Sequence, residues 1–208
     1  MIDLAGARLY LVASDRVGTR ALAEMVPELA AAGVDLLQLR MKDVEAGDLL
    51  RAGEPVATAC REAGIPFIVN DRPDGAVALE ADGVHVGQND VPVALARRIV
   101  GDAVVGLSTH APAEVDAALA SDADYLVAGP VYATPTKPGR PATGLELVRY
   151  AARRIERPWF AIGGIDATNL EAVLAAGARR IVVVRAITEA DDPPAAAARL
   201  AELLAQAP

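Results

Sequence analysis

The sequence is poor in cysteine, and it has no long apolar runs. Its one cysteine, Cys60, cannot form a disulfide within the chain, which is typical of proteins from a reducing compartment. No apolar run approaches the ~20 residues of a membrane-spanning helix. Residues 1–16 also lack the basic start and apolar stretch of a signal peptide. These absences predict a cytoplasmic protein that does not contact a membrane.

Positive charge is also scarce, and lysine is the scarcest source of it. The formal net charge of −8 at pH 7 argues against nucleic acid as a partner, because binding to phosphate backbones needs a basic face. Of the 20 basic residues, all but Lys42 and Lys137 are arginine. Because an ammonium and a guanidinium are not interchangeable at a binding site, these two lysines are candidates for a function, with chance retention as the alternative.

Short apolar segments alternate along the chain with Ala- and Leu-rich segments of helical periodicity. Eight buried strands are predicted, at residues 8–14, 36–40, 66–69, 83–87, 104–108, 125–130, 159–164 and 180–186. The predicted helices are residues 21–32, 48–63, 74–80, 93–99, 113–120, 145–155, 168–176 and 195–206. Strands buried on both faces and joined by helices favour a parallel sheet. The pattern predicts an α/β fold, a single-domain (β/α)8 TIM barrel of eight parallel strands over residues 1–208, with an open doubly wound sheet as the alternative.

Scarce polar residues gather at the carboxyl ends of these predicted strands, where a barrel places its active site. They are Gln38, Arg40 and Lys42 after the second strand, Asn70 and Asp71 after the third, Gln88, Asn89 and Asp90 after the fourth, Ser108 and His110 after the fifth, and residues 134–137 after the sixth. This distribution predicts a ligand site at one rim of the barrel.

Gln38, Arg40 and Lys42 alternate with apolar residues. Side chains two positions apart share one face of a strand, so an amide and two cations are expected to point the same way. Such a group suits a phosphate or a diphosphate. The alternatives are a solvated strand end or a salt bridge to Asp43.

Asp71 and Asp90 supply two carboxylates from adjacent predicted strands. Hard oxygen ligands beside a phosphate site are typical of Mg²⁺, with water and substrate oxygens completing its shell. The alternative is that both are helix N-caps ahead of Pro73 and Pro92.

Three further segments at this rim are candidates for anion binding. Residues 129–139 form a long predicted loop, of the kind that often serves as a lid or binding loop. Gly163 and Gly164 end the seventh predicted strand and Arg185 the eighth, where barrels commonly bind a phosphate, although a plain turn also explains the glycines. His85 is interpreted as a structural strand histidine, and His110 is left open as a general acid or base.

Seven segments, in order and at successive strand ends, resemble the thiamine-phosphate synthase family. They are QLRMK, VNDRPD, ADGVHVGQND, GLSTH, ADYLVAGPVYATPTK, AIGGI and IVVVRAI. The resemblance implies a (β/α)8 transferase of thiamine biosynthesis. Such an enzyme joins 4-amino-2-methyl-5-(diphosphooxymethyl)pyrimidine to a plain or carboxylated thiazole phosphate and releases diphosphate. It also implies Mg²⁺ as cofactor and small molecules as partners, with self-association into a homo-oligomer left open.

The resemblance also implies roles for individual residues. The pyrimidine diphosphate would be held by Gln38, Leu39, Arg40, Met41, Lys42, Asn70, Ser108 and Lys137, of which Arg40, Lys42, Ser108 and Lys137 would act in catalysis. The thiazole phosphate would be held by Thr134, Pro135, Thr136, Gly164, Val184 and Arg185, and the metal by Asp71 and Asp90. Many relatives carry serine in place of Arg185, so a backbone contact would survive there but a hydroxyl contact would not.

The implied mechanism is Mg²⁺-assisted loss of diphosphate through a pyrimidine carbocation, which needs no activated nucleophile. Two alternatives remain. One is a thiazole tautomerase, an isomerase of the same fold that would use His110 for proton transfer. The other is a non-catalytic barrel that senses a phosphorylated ligand. The Asp71 and Asp90 pair argues against the isomerase, which has no diphosphate to expel.

Overall fold

Eight parallel strands close into a barrel in the computed structural model, which describes residues 2, 4–14, 17–134 and 141–206. The strands are β1 (Leu9–Ser14), β2 (Leu36–Arg40), β3 (Phe67–Asn70), β4 (Gly83–Val86), β5 (Val104–Thr109), β6 (Tyr125–Ala128), β7 (Trp159–Ile162) and β8 (Ile181–Val183). The helices are α1 (Thr19–Ala31), α2 (Ala46–Ala63), α3 (Pro73–Ala78), α4 (Val93–Val100), α5 (Pro112–Leu119), α6 (Gly144–Arg154), α7 (Leu170–Ala175), α8 (Arg185–Thr188) and α9 (Pro193–Ala205). Each strand pairs with the next, and β8 closes on β1. The predicted TIM barrel is confirmed.

The strand ends at β7 and β8 differ from the prediction. Strand β7 ends at Ile162, so Gly163 and Gly164 lie beyond it. Strand β8 ends at Val183, and Arg185 begins the short helix α8 instead of ending the strand. A short apolar run has no periodicity that distinguishes a buried strand from a buried helical turn, and the run here continues through the fully buried Ile187. The prediction of one strand over residues 180–186 was therefore wrong in its second half.

Aromatic residues, rare in the sequence, concentrate inside the barrel. Tyr10, Tyr125 and Phe160 are fully buried there. Their ring centroids lie 5.4–5.9 Å apart in edge-to-face pairs, the arrangement that aromatic quadrupoles favour. The interior becomes polar toward the carboxyl ends of the strands, where Gln38, His85 and Ser108 are buried. The ring cluster thus forms the apolar floor beneath the rim.

The outer faces of the strands pack against the helices. Leu11, Leu39 and Val69 belong to this layer, as do Leu22 of α1 and Val56 of α2. Side chains alternate between the two faces of a strand, so each strand contributes apolar residues to both the interior and the helix layer. Within the described ranges, no helix has the length and apolar character needed to cross a membrane.

Three aspartates hold neighbouring strands together at the amino-terminal end of the barrel. Asp35, directly before β2, accepts hydrogen bonds from the backbone N–H groups of Arg8 and Leu9 at 2.7 and 2.8 Å. Asp82, directly before β4, accepts from Phe67 N at 2.9 Å. Asp124, directly before β6, accepts from Val105 N at 2.7 Å. These charge-assisted bonds tie β1 to β2, β3 to β4 and β5 to β6 at the end opposite the polar rim.

We expect Asp35→Ala to destabilise the fold because it removes two hydrogen bonds to a charged acceptor. Loss of one such bond costs about 1.5–3 kcal/mol, and each kcal/mol lowers the melting temperature of a domain of this size by roughly 2–4 °C. A fall of at least about 3 °C in a circular dichroism melt is the expected result. The matched control is Asp48→Ala, which removes an exposed ion pair with Arg51 and should change the free energy of unfolding by at most about 0.5 kcal/mol. Equal melting temperatures for the two variants would contradict this account of the aspartates.

Candidate active site

Two adjacent cavities open at the carboxyl ends of the strands. The aspartate cavity, which surrounds Asp71 and Asp90, has a volume of about 260 Å³ and is lined by residues of β2 to β5 and their loops. The glycine cavity, which surrounds Gly163 and Gly164, has a volume of about 320 Å³ and is lined by the carboxyl ends of β7 and β8 and by residues that follow β5 to β8. His110 lines both, so the two cavities adjoin at this side chain.

The aspartate cavity collects polar groups from three strand ends. Arg40 is the last residue of β2, and Lys42 lies two positions beyond it. Asn70 is the last residue of β3 and Asp71 follows it, while Asp90 lies in the loop after β4. The structure thus brings together two cations, an amide and two carboxylates that are separated by up to 50 positions in the sequence.

Asp71 and Asp90 are positioned by loop backbone and do not cap helices. Asp71 has a φ of +61°, which is uncommon outside glycine, and its N–H donates to His85 O at 2.8 Å. Asp90 Oδ2 accepts from Gly87 N at 2.9 Å. The residues at the N-cap positions of α3 and α4 are Arg72 and Pro92, and neither helix start has a side-chain cap. The helix-cap interpretation is therefore not what the structure shows.

The electrostatics of this pair favour an added positive charge. Lys42 forms an ion pair with Asp71. Burial raises the pKa of the Asp71 carboxyl above its ordinary value, the neighbouring Asp90 raises it further, and Lys42 opposes both effects. Two carboxylates held this close repel each other when both are ionised, so a cation bound between them would relieve the repulsion. The described residues contain no group of three or more His, Cys, Asp and Glu side chains suited to a metal.

Asn70 presents a buried donor to the same cavity. Its side chain is 7% exposed, and its Nδ2 atom has no hydrogen-bond partner among the described residues. A buried polar group without a partner costs free energy, so its place in the cavity lining is consistent with a ligand that supplies an acceptor.

Gln38 lies deeper than the sequence suggests, inside the barrel at 3% exposure. It begins a series of hydrogen bonds that we call the interior polar chain: Gln38, Tyr10, Tyr125, His85 and Ser108. Gln38 Nε2 donates to Tyr10 Oη at 2.5 Å, and Tyr10 Oη lies 2.9 Å from Tyr125 Oη. His85 Nδ1 lies 3.1 Å from Tyr125 Oη, and His85 Nε2 lies 2.8 Å from Ser108 Oγ. The chain runs from the barrel floor to the wall of the aspartate cavity, which His85 and Ser108 line.

Tyr10 and Tyr125 do not stand out in the sequence as site residues, and the sequence-based interpretation of His85 is a structural strand histidine. The available signal was a polar atom in each of two strands otherwise buried on both faces, at Tyr10 in β1 and Tyr125 in β6. Leu39 and Met41, which the resemblance includes, pack their side chains against the helix layer, so any ligand contact there would involve their backbone.

The glycine cavity is shaped by close backbone approach. Gly163 and Gly164 have φ values of +107° and +63°, a region that glycine adopts without steric cost. A Cβ on Gly163 would lie 2.5 Å from Pro130 Cα, and one on Gly164 would lie 2.8 Å from Tyr132 Cβ. The loop after β7 therefore packs directly on the loop after β6, and glycine is required for both conformation and space.

Val184 and Arg185 also line the glycine cavity. Arg185 Nη1 lies 3.5 Å from Glu189 Oε2, one turn further along. Thr134 lines the cavity as well, but Pro135, Thr136 and Lys137 lie outside the described residues.

His110 lies between the cavities in a defined orientation. Its backbone N–H donates to Glu114 Oε2 at 2.7 Å, and its Nδ1 lies 2.5 Å from Gly129 O. Because a carbonyl oxygen can only accept, Nδ1 carries a proton, and in the neutral ring Nε2 carries the lone pair.

Comparisons with known proteins identify the family of the chain. The family model described as thiamine monophosphate synthase matches residues 9–187. The chain is 53% identical to a thiamine-phosphate synthase of Acidothermus cellulolyticus, over 99% of this chain and 98% of that protein. It is 54% identical to a thiamine-phosphate synthase of Thermus thermophilus, over 95% of this chain and 97% of that protein.

A solved structure gives the same result at the level of the fold. The thiamine phosphate pyrophosphorylase from Pyrococcus furiosus superposes with a TM-score of 0.87 at 31% identity, and the match covers 96% of each chain. A family model that spans most of the chain, together with relatives above 50% identity over nearly its full length, places the protein within a family of transferases. The chain belongs to the thiamine monophosphate synthase family.

Proposed function

We propose that the protein couples an aminopyrimidine, carried as its methyl diphosphate, to a thiazole phosphate. The products are thiamine phosphate and diphosphate. Membership of the thiamine monophosphate synthase family supports this reaction. The observation that carries it furthest is the junction of the aspartate cavity and the glycine cavity at His110, because two substrates must meet at one point to be joined.

The aspartate cavity suits the pyrimidine diphosphate. Arg40 can hold diphosphate oxygens through its planar fork of donors, and Lys42 can act as a point charge. Asn70 Nδ2 supplies a neutral donor, and Ser108 lines the same cavity. Donors and cations aimed at the departing oxygens stabilise the negative charge that develops there, which lowers the barrier. Lys137, outside the described residues, completes the proposed set.

Asp71 and Asp90 fit Mg²⁺ as its protein ligands. Mg²⁺ is often bound by one or two carboxylates, while water and substrate phosphate complete its shell, so a pair of facing carboxylates is a sufficient donor set. The raised pKa of Asp71, to which Asp90 contributes, is consistent with a site arranged for a cation. When bound, Mg²⁺ would neutralise charge on the diphosphate.

The glycine cavity suits the thiazole phosphate. The loops after β7 and β8 of such barrels commonly hold a phosphate through backbone N–H groups, and Gly164 and Val184 lie in these two loops. Thr134 and Arg185 line the same cavity, while Pro135 and Thr136 are proposed from the resemblance alone. This assignment places the two substrates on opposite sides of His110.

The coupling needs no activated protein nucleophile. The bond between the pyrimidine methylene carbon and the diphosphate oxygen breaks, and diphosphate leaves with the electron pair. The thiazole nitrogen then donates its lone pair to the methylene carbocation, which the aminopyrimidine ring stabilises, and a carboxylated thiazole afterwards loses CO₂. Cys60 plays no part, because it is buried away from both cavities and burial raises the pKa of its thiol to about 12.

The metal proposal predicts the effect of Asp71→Asn and Asp90→Asn. Each change removes one anionic ligand with almost no change in shape, so the melting temperature should stay within about 2 °C of the wild-type value. The coupling rate should fall at least about tenfold, because the metal loses one charged contact. Raised Mg²⁺ should partly restore each single variant but not the double variant. Coupling rates measured against Mg²⁺ concentration test this. The control is Asp74→Asn, an exposed carboxylate paired with Arg72, which should leave the Mg²⁺ dependence unchanged. Unaltered dependence in both site variants would remove the metal from the mechanism.

The diphosphate assignment predicts that Lys42→Ala lowers kcat/KM for the pyrimidine diphosphate. A lost hydrogen bond to a charged group costs about 1.5–3 kcal/mol, so a fall of roughly ten- to a hundredfold is expected, with little change in the KM for thiazole phosphate. Steady-state kinetics with each substrate varied in turn measure both. Arg51→Ala removes a solvent-exposed cation and serves as the control. Wild-type kcat/KM in the Lys42 variant would exclude the lysine from catalysis.

His110→Ala distinguishes coupling from tautomerisation. The thiazole nitrogen that attacks has no proton to lose, so coupling does not need His110 as a general base. The His110→Ala variant should therefore lose only the contribution of one contact and keep at least about a tenth of the wild-type kcat. A thiazole tautomerase would lose nearly all of its activity. Parallel coupling and tautomerisation assays on the wild type and this variant decide between the two. Loss of coupling beyond about a hundredfold would show that the proposed proton-free attack is wrong.

A further inference from the structure

The interior polar chain connects the floor of the barrel to the aspartate cavity through hydrogen bonds that are closed to solvent. Tyr10 and Tyr125 are fully buried, and Gln38, His85 and Ser108 are each less than 7% exposed. The hydroxyl hydrogens of Tyr10 and Tyr125 therefore each need a protein acceptor, because water does not reach them. The positions of the protons along the chain can therefore be worked out from one end.

The Gln38 end fixes the first two protons. The amide nitrogen Nε2 donates to Tyr10 Oη and cannot accept. The hydroxyl hydrogen of Tyr10 must therefore go to its other neighbour, Tyr125 Oη, at 2.9 Å. Burial raises the pKa of both tyrosines, so each keeps its proton at neutral pH and acts as a donor.

The order then extends to the cavity. Tyr125 Oη accepts from Tyr10, so its own hydrogen goes to His85 Nδ1. With Nδ1 as an acceptor, the neutral His85 ring carries its proton on Nε2 and donates it to Ser108 Oγ. The hydrogen of Ser108 is then directed away from His85. The opposite order would leave the buried hydroxyl hydrogen of Tyr10 without an acceptor among these contacts.

Gly106 of β5 gives independent support for the central link. A Cβ at this position would lie 2.5 Å from His85 Nδ1 and closer still to Tyr125. Any other residue would therefore push apart the two groups that exchange this hydrogen bond. Phe160 packs edge-to-face against both tyrosine rings, and it has no polar side-chain atom that could join the interior polar chain.

We propose that the interior polar chain is proton-ordered, and that Tyr125 and His85 are positioning residues that make Ser108 a hydrogen-bond donor to the substrate in the aspartate cavity. Ser108 then recognises an acceptor atom of the substrate, which is either an anionic diphosphate oxygen or a ring nitrogen. The proton order stands on the structure alone, while its kinetic effect rests on the proposed function. With the opposite order Ser108 would donate to His85 and present only lone pairs to the cavity.

The tautomer of His85 tests the order directly. The protein has two histidines, and their tautomers should differ. His85 should be protonated on Nε2, and His110 should be protonated on Nδ1 because Nδ1 donates to Gly129 O. Two-bond ¹H–¹⁵N correlation spectra of the full-length protein with ¹⁵N-labelled histidine distinguish these forms at neutral pH, and a spectrum of His110→Asn assigns the signals. A charged or Nδ1-protonated His85 in the wild type would overturn the proposal.

Two variants locate the origin of the order. Ser108→Ala leaves Tyr125 as the donor to Nδ1, so His85 should remain in the Nε2-protonated form. Tyr125→Phe keeps the ring but removes that donor, so His85 should lose its single tautomer. If Ser108→Ala changes the tautomer and Tyr125→Phe does not, the order is set from the cavity and the proposal fails. Should Tyr125→Phe fail to fold, Tyr10→Phe is the second variant. Among these contacts it leaves His85 Nδ1 as the acceptor for the Tyr125 hydroxyl, so the His85 tautomer should persist, and a change to the Nδ1-protonated form would overturn the proposal.

The kinetic consequence is measured in the same variants. Tyr125→Phe should lower kcat/KM for the pyrimidine diphosphate about five- to tenfold, the effect of one misdirected hydrogen bond, with the KM for thiazole phosphate unchanged. The control is Phe160→Leu, which loosens the same ring cluster without touching the polar chain. It should lower the melting temperature but keep wild-type kinetics and the His85 tautomer. Equal kinetics in Tyr125→Phe and Phe160→Leu would overturn the positioning role. If the wild-type protein does not catalyse coupling, that result counts against the proposed function, and the tautomer test still decides the proton order.

Discussion

Closure of the barrel is the constraint on which the rest of the structure depends. Pairing of β8 with β1 places the carboxyl ends of all eight parallel strands on one rim. Residues as distant in sequence as Arg40 and Arg185 therefore line adjoining cavities. The same closure encloses an interior in which Tyr10 of the first strand can bond to Tyr125 of the sixth. Without closure, neither the two-cavity site nor the interior polar chain could form.

The candidate site is prepared electrostatically in one cavity and sterically in the other. In the aspartate cavity, charged groups are already balanced against one another, since Lys42 pairs with Asp71 while Asp90 repels it. A ligand that brings both a cation and anionic oxygens can replace these contacts with better ones. In the glycine cavity, preparation is steric, because the loop after β7 lies close to the loop after β6 at Gly163 and Gly164. A diphosphate and a simple phosphate would thus be recognised by different means in neighbouring cavities.

Sequence alone was sufficient for the barrel and for much of its rim. The alternation of apolar strands and helices predicts the fold, because burial gives a strand and a helix different patterns of apolar residues along the sequence. Polar residues such as Asn70 and Asp71 stand out where those strands end. The polar groups inside the barrel could not be found in this way. Tyr10 and Tyr125 fit an apolar strand pattern as well as any aromatic residue, and only the register across non-neighbouring strands brings their hydroxyls together. The helical turn at Arg185 was missed because a run of apolar residues is compatible with either conformation.

The aspartates before β2, β4 and β6 divide the barrel into modules. Each joins strands that are close in sequence, with donor and acceptor separated by 15 to 27 residues, so the entropic cost of closing each loop is small. The series ends at β8, where Arg180 occupies the corresponding position and donates to Ala5 O instead. Three two-strand units are thus joined locally at the base, while the candidate active site lies at the opposite end. Substitutions at the rim can therefore accumulate during evolution without disturbing the pairing of the strands, which is one physical reason why barrels of this type host so many different reactions.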